Sequence, residues 1–299
     1  MRKISGIYTA LITPFLGEEL DEEGLRQLLR RQVDAQVDGV VVLGSTGEAP
    51  TLRTEEQERI VRIAIEECSG KIQVLVGTGS YSTAETIENT QAAERAGADG
   101  ALIVTPYYNK PSQEGIFRHF EAIAAKTTLP ITVYNVAGRC SRNIETPTLA
   151  RMAQLPTIIG VKETSGDLNQ MSDVVAAIRP THPDFSMVSG DDSLTLPLMS
   201  IGGDGIISVA SNLIPEQMVT FVRAAQAGRW DEARAQHYTL LPFFKSLFVD
   251  TNPMPIKEAM ALCDLPGGSC RLPLCAISAA NRAHIEKVLS SLHLLQAVS

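Results

Sequence analysis

No apolar run in the 299-residue sequence reaches the length of about 18 residues that a membrane-spanning helix needs. Basic residues are outnumbered, 26 Lys and Arg against 34 Asp and Glu for a net charge of −8. The basic face with which a general nucleic-acid binder displaces phosphate counterions is therefore missing. Cysteine is scarce and odd in number: Cys68, Cys140, Cys263, Cys270 and Cys275 lack paired metal-type spacing and form no disulfide framework. A reduced, cytoplasmic compartment is the simpler expectation. The N-terminal MRKISGIYTALITPF carries two basic residues, but Gly6, Thr9, Thr13 and Pro14 interrupt its apolar run, so it reads as a strand and not a signal peptide. There is no P-loop, no G-x-S-x-G elbow and no G-x-G-x-x-G after the first strand. His119, His182, His237, His284 and His293 are dispersed without ligand spacing, and His119 reads as a surface or packing residue of a helix.

What is present is ordinary for a globular enzyme: 44% hydrophobic and 20% charged residues, with no low-complexity tract. Short β-branched runs alternate with amphipathic segments, the pattern of a parallel sheet covered by helices. Strands are expected at 6–15, 39–43, 72–76, 100–105, 130–135, 158–162, 185–189 and 205–209. Helices are expected between them at 21–35, 54–68, 83–96, 113–126, 146–154, 168–178 and 193–199. The helix at 54 carries a capping-box pattern, Thr54 with Gln57 three residues on. Eight strands in βα order is the count at which a parallel sheet closes, so a TIM (β/α)8 barrel is expected, with a doubly wound open sheet as the alternative. From residue 215 the pattern is helical throughout, at 216–227, 230–247, 255–263 and 276–295. The expected domains are a catalytic barrel over 1–224 and a small all-helical domain over 225–299.

In such a fold the loops after the strands converge on one face, where ionisable residues become catalytic candidates. The sixth strand delivers Lys162 there. Apolar surroundings lower a lysine's pKa and free its amine to attack carbonyls, although a solvated charge or an ion pair with Glu163 fits the same position. The second strand ends in Gly44-Ser45-Thr46-Gly47-Glu48, whose hydroxyls and backbone N–H groups suit a carboxylate, or simply make a tight turn. Tyr107 and Tyr108 follow the fourth strand; Tyr134 ends the fifth, with Arg139 a few residues on. A phenol near an amine nucleophile serves as acid and base, and an arginine forks onto a carboxylate. Asp191 and Asp192 beside Gly190 suggest a metal weakly, since adjacent residues point apart and no histidine neighbours them. The chemistry these residues share is cofactor-free carbonyl chemistry without a metal.

Several segments in order carry a resemblance: Gly44-Ser45-Thr46-Gly47-Glu48, Thr105-Pro106-Tyr107-Tyr108-Asn109-Lys110-Pro111, Tyr134-Asn135-Val136, Gly160-Val161-Lys162-Glu163-Thr164, Ser189-Gly190-Asp191-Asp192 and Gly205-Ile206-Ile207-Ser208. Over nearly its whole length the chain resembles the dihydrodipicolinate synthase and N-acetylneuraminate lyase family of class I aldolases. The resemblance implies a barrel with a helical C-terminal domain, a cytoplasmic homotetramer built as a dimer of dimers, and an imine between Lys162 and pyruvate. It assigns proton transfer to Tyr134, relayed through Ser45 to Tyr108 of a neighbouring subunit. It gives Thr46 the pyruvate carboxylate and places Gly190 and Ile207 along the imine pocket.

Arg139 separates the branches, because the synthases of this family use an arginine there for the carboxylate of L-aspartate 4-semialdehyde. Ser45, where the synthases more often have threonine, and Thr164-Ser165-Gly166-Asp167-Leu168 are shared with the lyases. Ala137 replaces a usual proline. The alternatives are another pyruvate-dependent aldolase acting on a sugar acid, or a barrel that only binds. Lysine-sensitive synthases have an allosteric site matching Ala49, Thr54, Gln57, Tyr81, Glu85 and Tyr107; Thr54, Gln57 and Tyr81 depart from it, which implies weak or absent inhibition.

Overall fold

The computed structural model describes residues 3–295. The strands are β1 (Gly6–Ala10), β2 (Phe15–Leu16), β3 (Glu19–Leu20), β4 (Gly39–Val42), β5 (Gln73–Gly77), β6 (Gly100–Val104), β7 (Ile131–Asn135), β8 (Ile158–Glu163), β9 (Ser186–Ser189) and β10 (Gly205–Ser208). Eight of them close into a barrel in the order β1-β10-β9-β8-β7-β6-β5-β4, while β2 and β3 form a small antiparallel hairpin. The expected barrel is thus the observed one, and the open-sheet alternative falls. Burial explains the composition of the strands: side chains of a closed parallel sheet are covered on both faces, so Val133, Ile131 and Val161 are fully buried.

The chain divides into two compact units, one running up to Gly6 and then through Val74–Ile207, the other comprising Ile7–Gln73 and the residues from Ser208 onward. In the first, α3 (Thr83–Ala96), α4 (Gln113–Ala124), the short α5 (Ala137–Cys140), α6 (Thr146–Met152), α7 (Leu168–Ile178) and α8 (Thr195–Ser200) accompany strands β6 to β9. Their starts follow local chemistry: the side chains of Ser82, Ser112 and Asp167 accept from N–H groups of the first turns of α3, α4 and α7. The segment expected as one helix at 193–199 is instead a 3-10 turn, Asp192–Leu194, followed by α8.

In the second unit, α1 (Glu22–Asp34) packs on α2 (Thr54–Cys68), and α9 (Pro215–Gln226), α10 (Trp230–Ser246), α11 (Met254–Ala261) and α12 (Ala279–Ser291) form the helical C-terminal part. α10 packs on α9 and α12, and α11 on α12. The first strand is shorter than expected. Leu11 still donates to the Val41 carbonyl, but the Ile12 amide turns to the Asn212 side chain at 3.0 Å and Pro14 has no N–H to continue the ladder. The cap of α2 lies one residue earlier than the sequence pattern places it. Glu56 accepts from the Arg53 amide at 2.8 Å, while Gln57 donates back to the Leu52 carbonyl at 3.2 Å.

Candidate active site

Lys162 stands near the C-terminal end of β8 and is only 6% exposed. Burial drives its pKa down from 10.5 to about 7; the charge of Asp192 opposes that shift and Arg139 adds to it. Near neutral pH the amine is therefore substantially unprotonated, the state that attacks a carbonyl. Lys162 pairs in register with Tyr134 of β7, and its Nζ lies 4.2 Å from the centre of the Tyr134 ring. Tyr134 is itself buried at the strand end.

Gly190 makes room for the lysine. A Cβ at this position would lie 2.6 Å from Lys162 Cε and 2.1 Å from Thr164 Oγ1, separations that atoms do not tolerate. The glycine amide donates to the Glu163 carbonyl at 2.9 Å, which fixes the chain where it passes the lysine. Ile207, in β10, is fully buried.

Glu163 does not pair with its neighbour Lys162, because successive strand residues face opposite sides. Its carboxylate accepts from Asn135 Nδ2 at 3.0 Å, the Ser165 amide at 2.7 Å and Gln170 Nε2 at 3.3 Å. Asn135 in turn donates to Asn143 Oδ1 at 2.8 Å and accepts from the Ile144 amide at 2.9 Å. These bonds close the segment between residues 135 and 144, which carries Arg139 on α5. Arg139 is exposed, and its charge is felt at Lys162. Cys140 beside it is buried, its thiol pushed up to about 11 by burial and therefore held protonated.

The loop after β4 belongs to the other unit. Thr46 is buried, and its Oγ1 accepts from Asn252 Nδ2 at 2.9 Å; Ser45 is half-buried. The glycines do not supply the left-handed positions here: Leu43 at φ 57° and Glu48 at φ 54° do. The amides of Gly47 and Glu48 bond back to the carbonyls of Gly44 and Ser45, so those two N–H groups are not offered to an anion as the sequence pattern suggests.

Of the remaining candidates, Tyr108 is 90% exposed, with φ 65°. Tyr81 meets Tyr107 edge-on at 5.5 Å, and Tyr107 is raised in pKa by burial, then by the charge of Glu85. Glu85 accepts from Ser80 Oγ at 2.7 Å, and Ala49 opens a 3-10 turn, Ala49–Thr51. Asp191 is occupied in capping Ser193, through its amide at 2.8 Å and its hydroxyl at 2.7 Å, while Asp192 is fully buried. Among the described residues no group of three or more His, Cys, Asp or Glu could hold a metal ion. His119 is buried rather than surface; its Nδ1 meets Thr83 Oγ1 at 2.9 Å, and burial lowers its pKa to about 4, so it stays neutral. Residue-level reading of the sequence assigned no role to Asn143, Gln170, Asn252 or Lys257. Asn135 and Glu163 at least showed a signal, a polar residue ending an otherwise apolar buried run.

A family model described as the dihydrodipicolinate synthetase family matches residues 3–292. The chain is 56% identical over 290 residues to the 4-hydroxy-tetrahydrodipicolinate synthase of Protochlamydia amoebophila, with 97% of each chain covered. It is 47% identical over 293 residues to the protein of that name from Endomicrobium trichonymphae, covering 98% of this chain and 99% of the relative. The crystal structure of dihydrodipicolinate synthase from Thermotoga maritima matches it with a TM-score of 0.96 at 41% identity, over 98% of this chain and 100% of that one.

Proposed function

We propose, from the premise that this chain belongs to the dihydrodipicolinate synthetase family, that it condenses pyruvate with L-aspartate 4-semialdehyde to give 4-hydroxy-tetrahydrodipicolinate, in lysine and diaminopimelate biosynthesis. The observation that carries the reading is Lys162: a buried strand-end amine with a pKa of about 7, lying over a tyrosine ring. Its Nζ adds to the pyruvate ketone carbon, and loss of water leaves the imine. Removal of a proton from the methyl group gives an enamine, whose carbon attacks the aldehyde. The new alkoxide takes up a proton, and the semialdehyde's own amino group then displaces Nζ from the imine carbon, closing the ring and returning Lys162 as the free amine. Tyr134 moves the protons, with Ser45 and Tyr108 as its relay. Thr46 takes the pyruvate carboxylate, Gly190 and Ile207 line the imine, and Arg139 holds the carboxylate of the second substrate.

The protonated imine serves as the electron sink, so the sequence of steps calls for no metal or organic cofactor. The 90% exposure of Tyr108 supports its use by a neighbouring subunit, within a homotetramer arranged as a dimer of dimers. We place the enzyme in the cytoplasm; no helix among the described residues is long and apolar enough to cross a membrane. We assign catalysis to a barrel domain over 1–224 and a supporting role to a helical domain over 225–299; residues 1–2 and 296–299 of those spans lie outside the described residues.

Borohydride reduction in the presence of pyruvate, followed by peptide mass spectrometry, tests the mechanism, and coupled turnover with aspartate semialdehyde tests the substrate. An adduct on Lys162 with turnover is the expected result. An adduct without turnover moves the search to other aldehydes, and no adduct overturns the lysine mechanism.

A further inference from the structure

The loop that carries Thr46 is held from one side by a single stretch of chain more than 200 residues away in sequence. Asn252, just before α11, donates to Thr46 Oγ1 at 2.9 Å. Lys257, within α11, places its Nζ 2.6 Å from Glu48 Oε1, and the other carboxylate oxygen accepts from the Arg271 amide at 2.9 Å. Both side chains of the ion pair are buried, 2% exposed for Lys257 and 0% for Glu48. Lys257 also donates to the Ser269 carbonyl at 3.2 Å and lies 4.4 Å above the Phe15 ring.

Stability does not account for this pair. Two charges withdrawn from water are commonly replaced by apolar residues of similar volume with no loss of stability, whereas removing one partner strands the other. What a buried pair supplies that an apolar contact does not is a fixed geometry, and here it fixes an unusual one. Glu48 sits at φ 54°, a left-handed conformation that a non-glycine residue keeps only where its surroundings impose it. Two residues upstream, the bond from Asn252 occupies Thr46 Oγ1 as an acceptor, which turns the hydroxyl proton toward a second acceptor. A substrate carboxylate is such an acceptor.

We propose that Lys257 and Asn252 are positioning residues for the substrate carboxylate: together they hold the loop of residues 44–48 so that the Thr46 hydroxyl is presented as a donor. This rests on the reading of Thr46 as the pyruvate-carboxylate contact. Lys257 acts through Glu48 and touches no substrate. The segment at the head of α11 thereby belongs to the substrate-binding apparatus and is more than an appendage.

The test compares Lys257→Met, the double variant Lys257→Met with Glu48→Gln, and Asn252→Ala in the full-length protein. Borohydride-trapped adduct is measured against pyruvate concentration, alongside the steady-state KM for each substrate. Lys257→Met and Asn252→Ala are expected to raise the half-saturating pyruvate concentration about tenfold, the loss that goes with one misplaced hydrogen bond to a charged group. The KM for the aldehyde should stay within about twofold, since it is not held by this loop. The double variant strands no charge but also lacks the pair, so it should stay impaired; recovery of normal pyruvate affinity there would assign the loss to the stranded carboxylate and overturn the inference. Unchanged pyruvate saturation in folded Lys257→Met and in Asn252→Ala overturns the inference, as does a parallel rise in both KM values or a loss confined to the active fraction. If Lys257→Met does not fold, Asn252→Ala decides alone. Absence of any adduct in the unaltered protein overturns the lysine mechanism and this inference with it, so the two failures are told apart.

Discussion

Lys162 and Tyr134 are register partners across β8 and β7, and the lysine Nζ lies 4.2 Å from the centre of the tyrosine ring. Strand pairing, a backbone property, thus sets the distance between the proposed nucleophile and the proposed proton shuttle. The ring also covers the amine with apolar surface, and burial is the largest cause of the lowered pKa.

The pH dependence follows from that. Lys162 has a pKa of about 7 in the folded chain against an ordinary 10.5. The rate of pyruvate adduct formation should rise with pH, with a midpoint near neutrality, and level off above it. For stability the sign is the reverse of a salt bridge. Below the folded pKa the lysine is charged in both states, and folding bears the full penalty of burying it; between the two values the unfolded chain binds the extra proton, so stability rises with pH. Lys162→Met should accordingly raise Tm more at pH 6 than at pH 9, measured by calorimetry at both.

Gly190→Ala should slow adduct formation severely while leaving most of the fold. The new Cβ meets the lysine stem at 2.6 Å and Thr164 Oγ1 at 2.1 Å, so Lys162 must leave its position over Tyr134. A fall in kcat of about a hundredfold or more is expected, as misplacement of a reacting group by about 1 Å produces. Near-normal turnover would show that the lysine has room the geometry denies it.

Arg139→Ala separates the two substrates. Adduct formation with pyruvate should survive, while kcat/KM for aspartate semialdehyde should drop about a hundredfold, in line with loss of a charge-assisted contact. Arg139 also depresses the Lys162 pKa, so the midpoint of adduct formation should move up in the variant. Equal loss of both half-reactions would place Arg139 in the imine chemistry instead.

Lysine should inhibit weakly or not at all. Tyr81, Glu85 and Tyr107 do come together, but Tyr81 fills the position with a ring set edge-on to Tyr107, and Gln57 is turned to the Leu52 carbonyl. Strong inhibition below about millimolar lysine in a steady-state titration would contradict this; affinity of that order needs several well-paired groups.

Local patterns in the sequence settled much of the architecture. The alternation of β-branched runs with amphipathic segments announces α3 over its observed bounds, because the hydrogen bonds inside a helix span only a few residues. Strand period and position likewise placed Lys162 at a strand end. The motif segments also named Tyr134 and Gly190, which lie against it. Tertiary structure decided what sequence spacing could not: that β1 stops at Ala10 because Asn212 takes the next amide, and that Glu163 turns to Asn135 and Gln170 and not to Lys162. It alone joined Thr46 to Asn252 and Glu48 to Lys257. Those contacts, and the desolvation that sets the lysine's pKa, depend on which distant side chains exclude water, and no local pattern encodes that.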